Sequence, residues 1–421
     1  MDQQKPVYSK RKVCRLCGSP ELVSVLNLQP IVVSTPNIDM RAVQGELKNL
    51  TDVKIPLELF LCKGCGHLQL LHIVDPELQY RHFQYVTSVS SGLPEHFREM
   101  AGEIVDTSGL PQDSFVVEIG SNDGTLLKAF SEKGMRVLGI DPAEKIAAAA
   151  TKAGVETLPE FFNQSVGEKI SQDFGKADVI VANNTFANLD DLNDIMAGID
   201  AVLSSEGLLV IETQYGRDVI EKRLIDTIYH EHLSYFMVSS LQSFFKRHQM
   251  QLIDVERIWT KGGSIRCFVQ RKGAGRPVTS QVNVLVQGEI NDGFQEPEFY
   301  KNFSAEIGLI TAHVKSVVAA ANEKGQTIIG YGASVGTMTL IAQFDLTDIL
   351  AYIVDDSPVG ANVIIAGREI PVHESDHLYK TPESLVVMFA WRYMDQICER
   401  HSGFSGDRRQ FLVPLPEVRL I

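Results

Sequence analysis

Apolar positions along this chain fall into short unbroken runs separated by stretches with helical spacing. Residues 115–119, FVVEI, have the length of a buried strand, and the glycine-bearing residues 120–124 behind them predict a tight turn that opens a helix near Thr125. MRVLGID predicts a second strand ending in Asp141. By the spacing that follows, residues 177–184 (ADVIVANN) make a fourth strand, 207–214 (GLLVIETQ) a fifth, MQLIDVERIW a sixth and SIRCFVQR a seventh. Between the fifth and sixth, SSLQSFFKRHQ predicts a helix with a serine cap. Upstream, PEHFREMAGEIVD carries apolar residues at helical spacing. Downstream, a long helical stretch around 298–325 leads into QTIIGYGASVG, read as strand, glycine turn (Gly330, Gly332, Gly336) and helix. ILAYIVDDSP follows as a second strand ending in Asp355 and Asp356. Strands that alternate with helices predict an α/β chain, and the later pattern repeats the earlier one. Two nucleotide-type clefts are expected; the bland alternative is that the later glycines only permit tight packing.

With 421 residues the chain exceeds one compact core. Its 44% apolar and 22% charged residues are those of an ordinary globular protein. A net charge of −14 lacks the basic footprint of non-specific nucleic-acid binding, while a local basic pocket for a small anion stays open. MDQQKPVYSKRK leads into VCRLCG rather than an apolar leader core, and no uncharged apolar run approaches the roughly 20 residues of a membrane span. A soluble, cytoplasmic protein without membrane partners is the expectation.

Four of the six cysteines form two C-x-x-C pairs, Cys14 with Cys17 and Cys62 with Cys65. In a reducing compartment such pairs favour tetrahedral zinc over disulfides, and LNLQPIVVSTPN and IPLELFL between them predict a small sheet carried by the metal. His67, beside the second pair, is a conceivable substitute ligand. Four thiolates already fill the shell, so the zinc is expected to be structural.

The turn reads E-x-G-x-N-x-G, with Glu118 at the strand end, Gly120, Asn122 and Gly124 in the turn, and Asp141 at the tip of the next strand. A glycine turn lets backbone approach a ligand, and an acid one strand on accepts from ribose hydroxyls. A dinucleotide turn reads G-x-G-x-x-G instead. The pattern resembles motif I of Rossmann-like methyltransferases, so S-adenosylmethionine is expected, with Glu118 and Asn122 serving its ammonium and carboxylate. Asn184, at the fourth strand's tip, is counted with this cleft. The competing reading of Glu118 is a carboxylate satisfied by backbone.

After the fifth strand comes TIYHEHLSYF, on the rim where open α/β sheets bind ligands. Tyr229, His230, Glu231 and His232 offer a base, an orienting carboxylate and a phenol, suited to removing a proton beside a carbonyl. One of the two histidines is expected to be structural. A metal site is disfavoured because the second histidine of a helical H-E-x-x-H is missing; a plain polar loop is the remaining alternative.

These motifs, with VVEIGSNDGTLL, GIDPA, NNTFANLDDL, YHEHLSYF, GGSIR and GYGA, resemble S-adenosylmethionine-dependent sugar C-methyltransferases that act on nucleotide-linked 4-keto-6-deoxyhexoses. The resemblance implies a zinc-binding domain (1–75), a helical connector (76–108), a Rossmann-like cofactor domain (109–275) and a C-terminal α/β domain (276–421) that helps hold a nucleotide-diphosphate-linked keto-deoxysugar. It implies His232 as base for C-3 methylation, with Glu231 and Tyr229 contributing, and Tyr85 as a substrate-facing tyrosine. Three departures stand out. Asn188 occupies a position usually held by histidine, Lys261 stands where a histidine is common, and GYGASVGTMTL and VDDSPVGANVIIAGREIPV lack the family's usual lysine-bearing segments. An O-methyltransferase and a non-catalytic scaffold are the alternatives.

Overall fold

The computed structural model describes residues 6–33, 53–90, 92–356, 362–365, 368–404, 406 and 408–421. The STPN end of the first linking segment and residues 357–361 and 366–367 of the altered C-terminal stretch lie outside the described residues.

Between the cysteine pairs the expected sheet forms from the antiparallel strands Leu22–Ile31 and Ile55–Cys62, continued by Leu68–Leu70. Alternate residues of Ile55–Cys62 are buried, as a sheet with one covered face requires. Its outer strand is Ser234–Tyr235, from the end of TIYHEHLSYF, which pairs with Leu68–Leu70. A strand from a distant part of the chain thus closes this edge.

The central sheet has seven strands in the order Met250–Ile258, Ser264–Arg271, Leu203–Gln214, Ala177–Asn183, Phe115–Ile119, Arg136–Ile140 and Thr157–Leu158. Numbered along the chain as strands 1 to 7, the order is 6-7-5-4-1-2-3, and only the pairings made by strand 7 are antiparallel. The third strand is two residues long, too short to mark itself by pattern. Residues 115–119 are buried throughout because helices cover both faces: Leu93–Ser108 and Thr125–Glu132 share a cluster with Val116 through Phe97, Met100, Ile104, Leu127 and Phe130, while Ile170 of Gln164–Asp173 and Ile195 and Ile199 of Leu192–Val202 share the core of Phe115, Val117 and Ile119. The chain reverses from strand 1 towards strand 2 on one side and strand 4 on the other, which opens a crevice at the strands' carboxyl ends.

The helix Val238–Arg247 has no serine cap. Its first amides, Val238 N and Ser239 N, donate to the Glu289 carboxylate at 2.7 and 2.9 Å, and the Tyr215 hydroxyl donates to the same group. A buried carboxylate with three donors satisfies the helix end better than a hydroxyl does, and local sequence does not show it.

The C-terminal sheet has a parallel core of Arg368–Glu374, Leu350–Asp355, Thr327–Tyr331, Ser384–Met388 and Arg409–Val413. This is a second doubly wound unit. The 27-residue helix Pro297–Glu323 is long and apolar enough to cross a membrane, although Glu306 and Lys315 interrupt it and no uncharged run spans it. Yet Tyr300, Phe303, Ile307, Val314, Val318 and Ala321 are buried in the same core as the C-terminal sheet.

Candidate functional site

Two sharp turns bring four thiols together. Cys14 Sγ lies 3.6 Å from Cys65 Sγ, Cys17 Sγ lies 3.5 Å from Cys62 Sγ, and all four sulfurs fall within 4.8 Å of one another. That is far beyond a disulfide's roughly 2 Å and suits the edges of a tetrahedron with metal–sulfur bonds of about 2.3 Å. Burial first, then the charge of Cys14, pushes the Cys62 thiol up to about 11, a conflict that a cation resolves. His67 is not a fifth donor: its Nε2 bonds Ser234 Oγ at 3.2 Å and its ring stacks on Phe236.

Glu118, Gly120, Asn122, Asp141 and Asn184 line one cavity of about 2050 Å³. Glu118 is 3% exposed, and one of its carboxylate oxygens has no hydrogen-bond partner. Burial, then Asp141 and Asp123, pushes its carboxyl well above the usual range. The backbone does not satisfy that oxygen, which leaves it available to a donor on a ligand. Asp141 accepts from Asn122 N and Ala143 N, both at 2.9 Å. The Asn122 side chain is otherwise engaged: Oδ1 accepts from Thr87 N at 2.8 Å, and Nδ2 donates to the Tyr85 carbonyl at 2.9 Å. It ties the connector across the turn and also lines the cavity. Gly124 is not a wall of the cavity; a Cβ there would lie 3.0 Å from Val155. At Gly120, with φ of +74°, a Cβ would fall 2.1 Å from Thr185 Oγ1. That glycine admits the loop after strand 4, and bulk there strains packing before it meets any ligand.

The same cavity is lined by Tyr85, Tyr229, Glu231, His232 and Lys261, and it continues to Tyr331, Gly332, Asp355 and Asp356 of the C-terminal unit. His232 Nδ1 donates to the Thr227 carbonyl at 3.0 Å, which leaves the lone pair on Nε2. The Tyr229 hydroxyl donates to that Nε2 at 3.0 Å. Burial, then Lys261, lowers His232 to about 3, so the ring is neutral near pH 7. Glu231 is raised by burial to about 7 although Lys261 pulls it down. Tyr85 Oη shares a hydrogen bond with Ser90 Oγ at 2.6 Å. His230 points elsewhere: its Nε2 meets the Pro56 carbonyl at 3.2 Å and fastens the loop to the N-terminal sheet.

Three directions of packing hold this loop. Leu70 N donates to the Leu233 carbonyl at 2.9 Å, and the buried Arg15, inside the first cysteine pair, donates to that carbonyl at 3.0 Å and to Asp190 beyond strand 4. From the C-terminal unit, Thr339 Oγ1 donates to the Ile228 carbonyl at 2.8 Å and Arg392 pairs with Asp226. Gly336 lies so close that a Cβ would fall 2.0 Å from the Asp226 carbonyl oxygen. Arg15 escaped the sequence reading because an arginine between two ligand cysteines gives no sign of being buried.

Residues 14–80 match a zinc binding domain family, residues 94–255 a methyltransferase domain family, and residues 259–416 the C-methyltransferase C-terminal domain family. C-methyltransferase NovU of Streptomyces niveus is 30% identical over 414 residues, which are 97% of this chain and 96% of that protein. The chain belongs to the C-methyltransferases. Among solved structures, magnesium protoporphyrin IX methyltransferase of Synechocystis PCC 6803 is 11% identical, with a TM-score of 0.34, over 42% of this chain and 82% of that one. A methyltransferase of Clostridium acetobutylicum ATCC 824 is 10% identical, with a TM-score of 0.34, over 42% of this chain and 92% of its own. Likenesses this small carry no argument; the strand order does.

The C-methyltransferase uses S-adenosylmethionine as methyl donor and zinc as a structural ion. Both fit the residues present. The unmet Glu118 oxygen suits the cofactor's ammonium and Asp141 its ribose, and the four thiolates leave no position open on the metal.

Proposed function

We propose that this C-methyltransferase alkylates C-3 of a nucleotide-diphosphate-linked 4-keto-deoxysugar, the carbon beside its ketone. The observation that carries the reading is the single cavity of about 2050 Å³, which exceeds the roughly 300–1,000 Å³ of a site for one small ligand. It runs from the Gly120 turn past Tyr229, Glu231 and His232 to the Gly332 turn, room for a cofactor and a nucleotide-sugar with a base between them. His232 Nε2 is the ultimate proton acceptor. Because Tyr229 already donates to it at 3.0 Å, the substrate's proton passes to the phenol oxygen as the phenol's own proton passes to Nε2. Glu231, as carboxylate, offsets the imidazolium that results. Tyr85, on the connector, helps orient the sugar. When bound, S-adenosylmethionine supplies the electrophilic methyl that the deprotonated carbon takes up.

Incubation of the enzyme with a nucleotide-linked 4-keto-6-deoxyhexose in deuterated water tests this. Exchange at the carbon beside the ketone, together with methylation there, is the expected result. Methylation of oxygen without exchange is the outcome of an O-methyltransferase, and neither reaction is that of a scaffold; both defeat the proposal.

A further inference from the structure

The turn between Met250–Ile258 and Ser264–Arg271 is built against backbone preference. Lys261, Gly262 and Gly263 have φ of 54°, 85° and 145°, three left-handed residues in succession. Glycine adopts such angles freely, whereas a lysine does so only where its surroundings over-determine it, and such residues gather at functional sites. Here the surroundings are firm. Thr260 Oγ1 donates to buried Glu212 at 3.3 Å, Gln214 Nε2 to the Lys261 carbonyl at 3.3 Å, Ser264 Oγ to the Thr260 carbonyl at 3.0 Å and Lys222 Nζ to the Gly262 carbonyl at 2.7 Å. A Cβ at Gly262 or Gly263 would strike Leu224 or Asp218. A turn clamped this way delivers one side chain into the cavity wall shared with Tyr229, Glu231 and His232.

The end of that side chain is unpaired. Among the described residues the Lys261 ammonium has no hydrogen-bond or close ion-pair partner, and this exposed residue forms part of the cavity wall. Burial draws the Lys261 ammonium below the usual lysine range, with Arg392 adding to the fall, while the charges of Glu231 and Glu212 hold it up. A partnerless cation beside proton-handling groups meets charge that arrives with a ligand or develops in the reaction. In deprotonation beside a ketone, that charge gathers on the carbonyl oxygen.

We infer that Lys261 is a further catalytic residue, its ammonium donating a hydrogen bond to the substrate's keto oxygen and holding the negative charge that forms there. This deepens the keto-sugar reading and rests on it. The C–H bond breaks and its proton is balanced by the one reaching His232 Nε2. Its electron pair becomes the carbon–carbon double bond of the enolate, and the carbonyl π pair moves to oxygen. The lysine keeps all its protons.

The test compares deuterium exchange and methyl transfer in the unaltered enzyme, Lys261→Met, Lys261→Asn and Lys261→Arg, with cofactor affinity measured by calorimetry. Asparagine tolerates left-handed backbone, so its variant keeps the turn. Loss of one such donor lowers both rates by roughly 10²- to 10³-fold in the Met and Asn variants, with cofactor affinity unchanged, and arginine restores about tenfold or more. Exchange in both variants within about threefold of the unaltered rate overturns the inference. So does a borohydride-trapped adduct on Lys261, which reveals an imine in place of a hydrogen-bonded ketone. If the unaltered enzyme exchanges no proton in a 4-keto substrate, the keto-sugar reading fails and takes this one with it; exchange that survives loss of the lysine overturns Lys261 alone.

Discussion

The two glycine turns are built alike and end differently. In each, a turn amide donates to the acid at the next strand's tip: Asn122 N to Asp141 at 2.9 Å, and Ala333 N to Asp355 at 2.8 Å. With Gly120 set against Gly332, the position of Glu118 is taken by Gly330, where a Cβ would lie 2.5 Å from Phe389. The first cleft therefore holds a buried acid with an unmet oxygen, and the second has no room for one. Beyond the turns the contrast grows. The first is bridged by the connector through Asn122, while the helix after the second, Val335–Gln343, is pressed through Gly336 and Thr339 onto the residues just before Tyr229. One cleft keeps an unmet carboxyl oxygen; the helix behind the other braces the loop that lies between them. A shared strand-turn-helix pattern sets geometry, and what packs on it sets use.

The bluntest way to break this comparison removes a support of the loop that both clefts share. Because Ser234–Tyr235 pairs with the zinc-bearing sheet, Cys62→Ser is expected to abolish most folded, soluble protein along with bound zinc. Metal analysis and circular dichroism check it, and a folded, zinc-free, fully active variant speaks against it. Next in size, His232→Asn is expected to cost roughly 10²- to 10⁴-fold in exchange and methyl transfer while leaving affinity in either cleft intact. Tyr229→Phe sharpens this: exchange that persists shows Nε2 taking the carbon's proton directly. Smaller effects separate the clefts. Asp141→Ala is expected to weaken cofactor binding by about 10- to 100-fold, the worth of a charge-assisted hydrogen bond, without changing nucleotide-sugar affinity. Asp355→Ala does the reverse, and calorimetry showing either substitution weakening both ligands dissolves the distinction.

A further effect is one of pH. Burial raises the Glu231 carboxyl from 4.5 to about 7. Between those values the folded enzyme binds a proton that the unfolded chain has lost, so this group lowers stability as pH rises through the window. The loss amounts to at most about 3–4 kcal/mol at 1.36 kcal/mol per unit. Glu231→Gln is therefore expected to gain on the unaltered enzyme between pH 5 and about pH 7 in urea unfolding. Parallel pH dependence of the two proteins shows that Glu231 does not titrate there.

Much of this was legible in the chain. The thiol pairs, both glycine turns and the acids at the strand tips declare themselves because each depends on a few adjacent residues and a short spacing. The strands of the central sheet were readable except Thr157–Leu158, which at two residues has no period. The serine cap of Val238–Arg247 was misread because Glu289, fifty residues on, does that work. Asn122 lines the cavity as its place in the turn suggests, but the ties of its amide to Thr87 and Tyr85 are not visible in the local sequence. Residue type says what a side chain can bond, not which partner reaches it first.

By itself, then, the sequence determined the α/β class, the metal donors, the cofactor turn and the presence of an acid/base cluster, since these follow from local backbone chemistry and donor type. Only the tertiary structure decided how that cluster divides. His230 is spent on the Pro56 carbonyl, His232 is aimed by Thr227 and engaged by Tyr229, and Lys261 is turned into the cavity by a left-handed turn. Those roles depend on contacts between residues as far as 218 positions apart, such as Arg15 with Leu233 and His230 with Pro56, and on burial, which moves Glu231 and His232 in opposite directions. Burial penalises whichever form is charged, the carboxylate of one and the imidazolium of the other, and it exists only once the loop is enclosed by the zinc sheet, the cofactor crevice and the C-terminal helix.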